Sequence, residues 1–340
     1  MTDKTISHVY RRVCIFGAGA IGGWIGARLA GVDCQLSVVA RGATLAALRE
    51  HGLRLEQDGE TCSVPVQASA DPADLGVQDL VVIAVKAPGL RDVARHIAPL
   101  IGPHTLVLTA MNGVPWWFLQ GFGGSLAGST LQAVDAGGEI AAAIPAAQVI
   151  GCVVHASCAL NSPGYVHHNH GRKLIIGEPG GGQTARVQQL SALLQSAGFE
   201  APVSPQIQYD TWYKLWGNMT LNPISGFTGA TVDRILDDPL VRNFTAQVML
   251  EAKEIGARLG IAIDEQPEDR HAVTRTHGAF KTSMLQDVEA GRAVELDALV
   301  AVVRELGTLT QVATPYTDVL LGLARLHARV HGLYPPAEPG

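Results

Sequence analysis

The chain has 340 residues, 47% of them hydrophobic and 16% charged, so we expect about two globular domains with a substantial core. Its formal net charge of −6 leaves no basic excess for the phosphates of a nucleic acid. The sequence lacks an apolar run of about 18 residues, which a membrane span needs, and its first residues lack the apolar core of a signal peptide. Five cysteines without C-x-x-C spacing favour buried, reduced thiols, so the expected location is cytoplasmic.

Strand-like apolar runs alternate with helical stretches through the first half of the chain. The predicted strands are residues 9–16, 36–40, 53–55, 63–66, 80–85, 105–109, 149–156 and 173–176. One predicted helix runs from the end of the first strand to about residue 30. Two further helices are predicted at residues 43–50 and 90–97. This alternation predicts an α/β fold of Rossmann type, with a parallel sheet and helices on both of its faces.

The pattern changes near Pro202 and Pro205. Residues 206–330 show long helical periodicity and few strand signals, and ALVAVVRELGTLT is typical of them. We therefore expect a nucleotide-binding sheet domain over residues 1–205 and an all-helical substrate and catalytic domain over residues 206–340. A linker is expected at residues 201–205.

The first predicted strand ends in a G-x-G-x-x-G sequence that opens a helix. Its members are Gly17, Ala18, Gly19, Ala20, Ile21 and Gly22. The first glycine permits a tight turn, the second lets the backbone approach a pyrophosphate, and the third lets helix and strand pack closely. The helix N-terminus adds free N–H groups and a favourable dipole for phosphates. The loop therefore predicts a dinucleotide site, and the alternative is a glycine-rich turn without a ligand.

Arg41 follows the second predicted strand, where NAD sites usually carry an acid that holds the ribose hydroxyls. An arginine offers a forked donor to a 2′-phosphate instead, so the predicted cofactor is NADPH. The alternative is a solvated arginine in a turn. Lys86 and Asn112 follow two further strands, and ligands of open α/β sheets bind at such strand ends. Both residues are therefore candidates for contact with cofactor or substrate.

Residues 210–223, DTWYKLWGNMTLNP, are predicted to form an aromatic helix with a polar stripe. Lys214, Asn218 and Asn222 are four residues apart and share one helix face. Reduction of a 2-oxo acid needs a cation or acid where the carbonyl becomes an alkoxide, and uncharged donors for the rest of the substrate. The stripe supplies that set. The alternative is a snorkelling lysine with asparagines that cap or turn the helix at Pro223.

Five segments together resemble the ketopantoate reductases, or 2-dehydropantoate 2-reductases. They are GAGAIGG, AVKA at 84–87, MNGVP at 111–115, WYKLWGNMTLNP at 212–223 and SMLQDVEAGRAVELD at 283–297. The resemblance runs from about residue 10 to residue 325 in the family's motif order. It implies that Lys214 is the general acid for the ketone oxygen and that Glu295 supports the site. It also implies roles in binding substrate or cofactor for the residues Lys86, Asn112, Asn218, Asn222 and Ser283.

The activity implied by the resemblance is NADPH-dependent reduction of 2-dehydropantoate to pantoate, for pantothenate biosynthesis. The aromatic, glycine-rich stretch WWFLQGFGGSLAGS leaves the substrate open, because Trp116 and Trp117 could line a cleft or belong to an Ω-loop packed on itself. One alternative is a reductase of a bulkier 2-oxo acid. Another is a non-catalytic NADP sensor, although a sensor does not need Lys214 or Glu295.

The expected partner is a small 2-oxo acid, with no nucleic acid and no membrane. The histidines of VHHNHG at 166–171 suggest a metal, but neither a neighbouring carboxylate nor a cysteine completes a site, so no metal is expected. The sequence does not determine the oligomeric state, and a homodimer is the candidate assembly.

Overall fold

The computed structural model describes residues 10–336, so the first residues, on which the expected absence of a signal peptide rests, lie outside it. The described chain forms two compact units. One contains the chain up to Met111 together with residues 139–207, and the other contains residues 112–138 and the chain from Gln208 onward. The domain boundary expected at residue 205 remains a prediction. The two units differ from the expected domains because residues 112–138, expected in the first domain, belong to the second unit.

Within the described residues of the first unit, nine strands form one sheet in the order β4-β3-β9-β8-β7-β6-β1-β2-β5. The strands are β1 Arg12–Phe16, β2 Gln35–Val39, β3 Leu53–Gln57, β4 Glu60–Val64, β5 Gln67–Ser69, β6 Leu80–Ile83, β7 Leu106–Ala110, β8 Val149–Ser162 and β9 Tyr165–Gly177. The neighbours from β8 through to β5 are parallel, as predicted.

The sheet is mixed and not wholly parallel, because β3 pairs with β4 and β8 with β9 in antiparallel fashion. Both pairs are joined by two-residue turns that reverse the chain at once. Asp58 and Gly59 have φ values of 55° and 80°, and Gly164 has a φ of 69°. An Asp-Gly pair with two left-handed residues is the preferred sequence for such a hairpin. The prediction of a parallel sheet was therefore wrong for these two pairs.

The helices of the first unit are α1 Ala20–Leu29, α2 Gly42–His51, α3 Leu90–His96, α4 Glu139–Ala143 and α5 Ala185–Ser196. Apolar residues of α1, α2 and α5 share a core with the strands, in which Ile15, Trp24 and Val82 are fully buried. The segment expected to be a linker is hydrogen-bonded to β9: the Ser204 amide donates to the Ile176 carbonyl over 2.7 Å.

The second unit is helical after residue 207, which confirms the predicted helical C-terminal region. Its helices are α6 Ile207–Thr228, α7 Val232–Asp237, α8 Pro239–Arg258, α9 Pro267–Arg275, α10 Ser283–Glu289, α11 Val302–Thr310 and α12 Pro315–Val330. A π-helical turn, Asp297–Ala301, runs directly into α11. Among the described residues, each helix is too short or too polar to cross a membrane.

Residues 112–138 pack into the helical core. Phe118 and Leu131 are fully buried in it, and the Phe118 ring centre lies 5.9 Å from that of Trp212 on α6. The backbone amides of residues 132 and 133 donate to the Glu305 carboxylate of α11 over 2.7 and 2.8 Å. The segment is therefore anchored to helices and is not a loop packed only on itself. Trp116 and Trp117 are each only 2% exposed.

Two tryptophans of α6 join it to α8. The indole N–H of Trp212 donates to the Ala252 carbonyl over 3.2 Å, and that of Trp216 donates to the Met249 carbonyl over 2.7 Å. Gly256 makes this close approach possible, because a Cβ on it would lie 2.5 Å from the Trp212 indole nitrogen. Both indoles thus bury their apolar area while their polar ends stay hydrogen-bonded.

We expect Gly256→Ala to lower the free energy of unfolding by about 1–3 kcal/mol, because the added methyl group overpacks the contact with Trp212. Gly322→Ala on α12 is the matched control, since a Cβ there meets no described atom within 4 Å. Helix propensity predicts that this control gains up to about 1 kcal/mol. Denaturant unfolding monitored by tryptophan fluorescence measures both changes, and equal stability of the two variants would contradict the proposed contact.

Candidate active site

The glycine loop of the first unit lies between β1 and α1, as predicted. Gly17 has a φ of 99°, a left-handed value that favours glycine, and its amide donates to the Val39 carbonyl of β2 over 3.2 Å. A Cβ on Gly22 would lie 2.1 Å from the Gly17 carbonyl oxygen, so only a glycine lets α1 pack this closely on the loop. The first and third glycines therefore have the geometry that a dinucleotide loop requires.

Gly19 is open where a ligand would approach. It immediately precedes α1, none of the described side chains caps the helix there, and a Cβ on Gly19 meets no described atom within 4 Å. The first amides of α1 thus point out of an uncapped helix N-terminus, which binds phosphate favourably. These features fit the pyrophosphate of a dinucleotide.

Arg41 and Lys86 follow β2 and β6, which flank β1 in the sheet. The carboxyl ends of these parallel strands therefore carry Arg41, the glycine loop and Lys86 at one edge. The Arg41 side chain is 54% exposed, and its Nη1 lies 2.8 Å from the Asp92 carboxylate of α3. Asp92 was not among the predicted site residues. It holds the guanidinium at the strand end while leaving other N–H groups of the fork for a ligand.

The polar stripe lies on the second unit, along α6. Its decisive contact is a hydrogen bond of 2.8 Å from the Lys214 ammonium to the amide oxygen of Asn112. Both side chains are half-buried. The helix continues through Pro223 to Thr228, so the asparagines of the stripe do not end it. Two residues separated by 102 positions in the chain thus meet as one polar group.

The other predicted substrate residues lie along α6 or on a helix beside it. Asn218 is half-buried and Asn222 is buried, one and two turns beyond Lys214. Ser283 is exposed at the first position of α10, whose Met284 packs against Gly226 of α6. A Cβ on Gly226 would lie 3.1 Å from the Met284 side chain, so α10 and α6 touch one turn beyond Asn222.

The π-helical turn positions the segment that carries Asn112. The Ala298 carbonyl of that turn accepts a hydrogen bond of 2.8 Å from the Val114 amide. Gly113 has a φ of 83°, and a Cβ on it would lie 2.4 Å from the same carbonyl oxygen. Glu295 is buried and stands just before this turn. The π-helical turn therefore follows Glu295 in the chain and contacts the loop that carries Asn112, the hydrogen-bond partner of Lys214. Turns of π-helix are frequent at functional sites.

Asp297 opens the π-helical turn and has a structural partner. Its carboxylate accepts a hydrogen bond from the Tyr334 hydroxyl, and burial raises its pKa. Glu295 is not in a helix with Asp297, since it precedes the turn. The two acids therefore belong to different surroundings.

A second polar cluster beside Lys214 was missed by the sequence reasoning. The Tyr213 hydroxyl lies 2.8 and 2.9 Å from the two oxygens of Glu265, and the Arg270 guanidinium lies over the Tyr213 ring at 4.9 Å. Burial and the Glu265 carboxylate raise the pKa of Tyr213, so its phenol is neutral near pH 7. The cluster fixes the helix turn that carries Lys214, and only spatial proximity reveals it.

The histidines of β9 have contacts within the first unit. His168 stacks on Trp24 with ring centres 5.2 Å apart, and His167 lies 3.4 Å from the Glu56 carboxylate. These contacts account for two of the three histidines in the motif VHHNHG.

Comparison with known proteins assigns the family. Residues 13–181 match the family model described as Ketopantoate reductase PanE/ApbA, and residues 206–328 match that of its C-terminal part. The chain is 45% identical over 324 residues to a 2-dehydropantoate 2-reductase of Mesorhizobium japonicum, covering 95% of this chain and 99% of that protein. The chain belongs to the ketopantoate reductase family.

Solved structures agree with this assignment. A protein of Ralstonia solanacearum MolK2 assigned to the ketopantoate reductases is 56% identical, with a TM-score of 0.91 over 96% of this chain and 100% of that one. The 2-dehydropantoate 2-reductase of Geobacter metallireducens GS-15 is 26% identical, with a TM-score of 0.81 over 93% and 99% of the two chains. The family is one of oxidoreductases that use a nicotinamide cofactor.

In this ketopantoate reductase family member we expect Gly113→Ala to lower kcat by about 10²-fold, because it displaces Asn112 from Lys214. Steady-state kinetics with the best 2-oxo acid measures the change. Gly124→Ala is the matched control: it also has a positive φ, 59°, but a Cβ there meets no described atom within 4 Å. Equal kcat values in the two variants would contradict this role of Gly113.

Proposed function

We propose that this protein is an NADPH-dependent 2-dehydropantoate 2-reductase that forms pantoate, a reaction that serves pantothenate biosynthesis. The observation that carries the proposal is the hydrogen bond between Lys214 and Asn112 on the polar stripe of a ketopantoate reductase family member. A non-catalytic NADP sensor has no need of this half-buried ammonium–amide pair. NADPH, when bound, supplies the hydride that reduces the ketone carbon.

Lys214 is assigned the role of general acid. An ammonium has three N–H donors, and the one that points to Asn112 orients the group. Another N–H donates to the ketone oxygen of the substrate, and its proton moves to that oxygen as the carbon accepts the hydride. The product is a hydroxyl group and a neutral lysine, which regains a proton from water. Placing a cation where an alkoxide develops stabilises the transition state more than the substrate.

The remaining predicted residues are assigned to substrate and site. Asn218, Asn222 and Ser283 offer uncharged donors and acceptors for the carboxylate and hydroxyl groups of 2-dehydropantoate. Glu295 supports the site from the beginning of the π-helical turn. These roles agree with the position of the stripe and of α10 beside it.

Eight residues are assigned to NADPH. Gly17, Gly19, Ala20, Ile21 and Gly22 are assigned to the pyrophosphate and Arg41 to the 2′-phosphate, and Lys86 and Asn112 are assigned to the cofactor as well. The open approach at Gly19 and the exposed, forked side chain of Arg41 support this choice of cofactor. The proposal also includes a homodimer, as described for a ketopantoate reductase of Staphylococcus aureus.

Arg41→Ala tests the cofactor choice. We expect NADPH binding to weaken by about 1.5–3 kcal/mol, the range for a hydrogen bond to a charged group, while NADH binding barely changes. Fluorescence titration of each cofactor measures both affinities. Arg95→Ala is the control for net charge, because Arg95 is also an exposed arginine of the first unit that lies near a carboxylate. Equal losses for the two cofactors would show that Arg41 has no part in reading the phosphate.

Lys214→Ala tests the reaction. General acid catalysis contributes about 10²–10⁴-fold, so we expect kcat to fall by that factor while the protein stays folded and binds NADPH. Lys214→Arg should also turn over slowly, because arginine keeps the charge but is a poor proton donor. Lys173→Ala, which removes an exposed lysine of β9, is the control.

The assay for these variants is NADPH oxidation with a panel of 2-oxo acids that includes 2-dehydropantoate and bulkier or aromatic members. The highest kcat/KM should belong to 2-dehydropantoate. A higher kcat/KM for a bulkier acid would agree with the same mechanism but identify a different substrate. A near-normal kcat in Lys214→Ala would contradict the mechanism itself.

A further inference from the structure

Residues 331–335, which follow α12, turn back onto the helical core of the second unit and are here called the post-α12 segment. The Leu333 amide donates to the Ala328 carbonyl over 2.7 Å, and the Leu333 side chain is buried in the core. The Arg329 Nε donates to the Pro335 carbonyl over 3.0 Å. Packing and hydrogen bonds therefore hold this segment in a defined position beside the end of α12.

The post-α12 segment makes hydrogen bonds to the chain on both sides of Glu295. Before that residue, the Val294 amide donates to the Leu333 carbonyl over 3.1 Å. After it, the Tyr334 hydroxyl donates to the Asp297 carboxylate. Glu295 itself is buried. Two neighbouring residues of one segment thus contact the chain directly before Glu295 and at the start of the π-helical turn that follows it.

The backbone that carries Glu295 depends on contacts of this kind. Residues 292–295 form neither helix nor strand, so a regular ladder of hydrogen bonds does not fix them. The neighbours Val294 and Leu296 are buried in the core and anchor the backbone on each side. A hydrogen bond on either side of Glu295 therefore bears directly on where its carboxylate lies.

The hydrogen bond between Tyr334 and Asp297 joins two groups that both lose contact with water. Asp297 is half-buried, and burial raises its pKa. Burial and the Asp297 carboxylate raise the pKa of Tyr334, so the phenol keeps its proton and acts as the donor. A carboxylate that loses a donor in such surroundings costs free energy unless it moves toward water. Removal of the hydroxyl should therefore shift Asp297, the first residue of the π-helical turn.

We propose that Tyr334 is a positioning residue for Glu295. Its hydroxyl holds Asp297 on one side of Glu295, and the adjacent Leu333 carbonyl holds Val294 on the other side. A displacement of about 1 Å at a catalytic site can lower turnover by about 10²-fold. This role rests on the proposed function, in which Glu295 supports the site.

Tyr334→Phe tests this role, because it removes only the hydroxyl. We expect kcat with the best 2-oxo acid to fall by about 10- to 100-fold. Tyr165→Phe is the matched control, since the Tyr165 hydroxyl also donates to a carboxylate, that of Glu56 on the first unit, over 3.0 Å. The control should have the kcat of the unmodified chain. Equal kcat values in the two variants would overturn the role of Tyr334.

A second comparison separates positioning from a general loss of structure. If Tyr334 acts through Glu295, its hydroxyl has no carboxylate to position in Glu295→Gln. Tyr334→Phe should therefore lower kcat in the unmodified chain and cause little further fall in Glu295→Gln. Residues that act as a unit show such non-additive effects, whereas independent effects multiply. The same fold loss in both backgrounds would overturn the proposal, as would a normal kcat in Glu295→Gln.

Variants of Asp297 test the hydrogen bond itself. Asp297→Asn keeps an oxygen that accepts from the Tyr334 hydroxyl, whereas Asp297→Ala removes the acceptor. We expect Asp297→Ala to lower kcat as Tyr334→Phe does, and Asp297→Asn to retain a larger part of it. Equal losses in the two variants of Asp297 would overturn the assignment of this hydrogen bond to positioning.

Hydrogen–deuterium exchange tests the same contact without the reaction. Peptides that cover residues 293–301 should exchange faster in Tyr334→Phe than in the unmodified chain, and at the unmodified rate in Tyr165→Phe. Circular dichroism confirms that each variant is folded. Unchanged exchange in Tyr334→Phe would overturn the positioning role even where the proposed reaction is observed. An unmodified chain that reduces none of the 2-oxo acids would contradict the proposed function instead, and the exchange rates would still decide whether Tyr334 holds this turn.

Discussion

The hydrogen bond from Lys214 to Asn112 is the constraint around which the second unit is arranged. A half-buried ammonium is costly unless it has polar partners, and an amide oxygen supplies one without cancelling its charge. Asn112 can serve only if its backbone is held in place. That requirement explains the glycine that follows it and the carbonyl that accepts from the Val114 amide. The π-helical turn supplies this carbonyl, so the local irregularity of the helix is part of the site.

The aromatic neighbours of the polar stripe make it rigid. Trp212 and Trp216 both donate to carbonyls of α8, so their rings are oriented by packing and by hydrogen bonds together. The Tyr213 hydroxyl is likewise held by Glu265. Helix α6 is therefore fixed about its own axis, and the direction of its polar face is determined. A general acid on a mobile helix would lose much of the benefit of orientation.

The glycine loop of the first unit combines tight packing at two of its glycines with open space beside the third. Gly17 and Gly22 are in close contact with their surroundings, whereas the space beside Gly19 is open. This contrast agrees with the different tasks of the three glycines in a dinucleotide loop. Arg41 is held by Asp92, whose negative charge reduces the net charge at the strand end. The other N–H groups of the guanidinium stay available beside this carboxylate, and the proposed 2′-phosphate site uses them.

The sequence by itself determined the central strands, the glycine loop, the helical second half and the candidate residues of the polar stripe. Apolar periodicity and glycine spacing are local properties, and each of these features depends on residues close together in the chain. The Asp-Gly pair at residues 58 and 59 is a local hairpin signal, and the predicted parallel sheet did not take it into account. Tertiary structure alone decided which distant residues meet: Lys214 with Asn112, Arg41 with Asp92, and residues 112–138 with the helices. Such contacts depend on how whole elements pack, and packing is set by burial and shape over the entire unit, which no short stretch of sequence records.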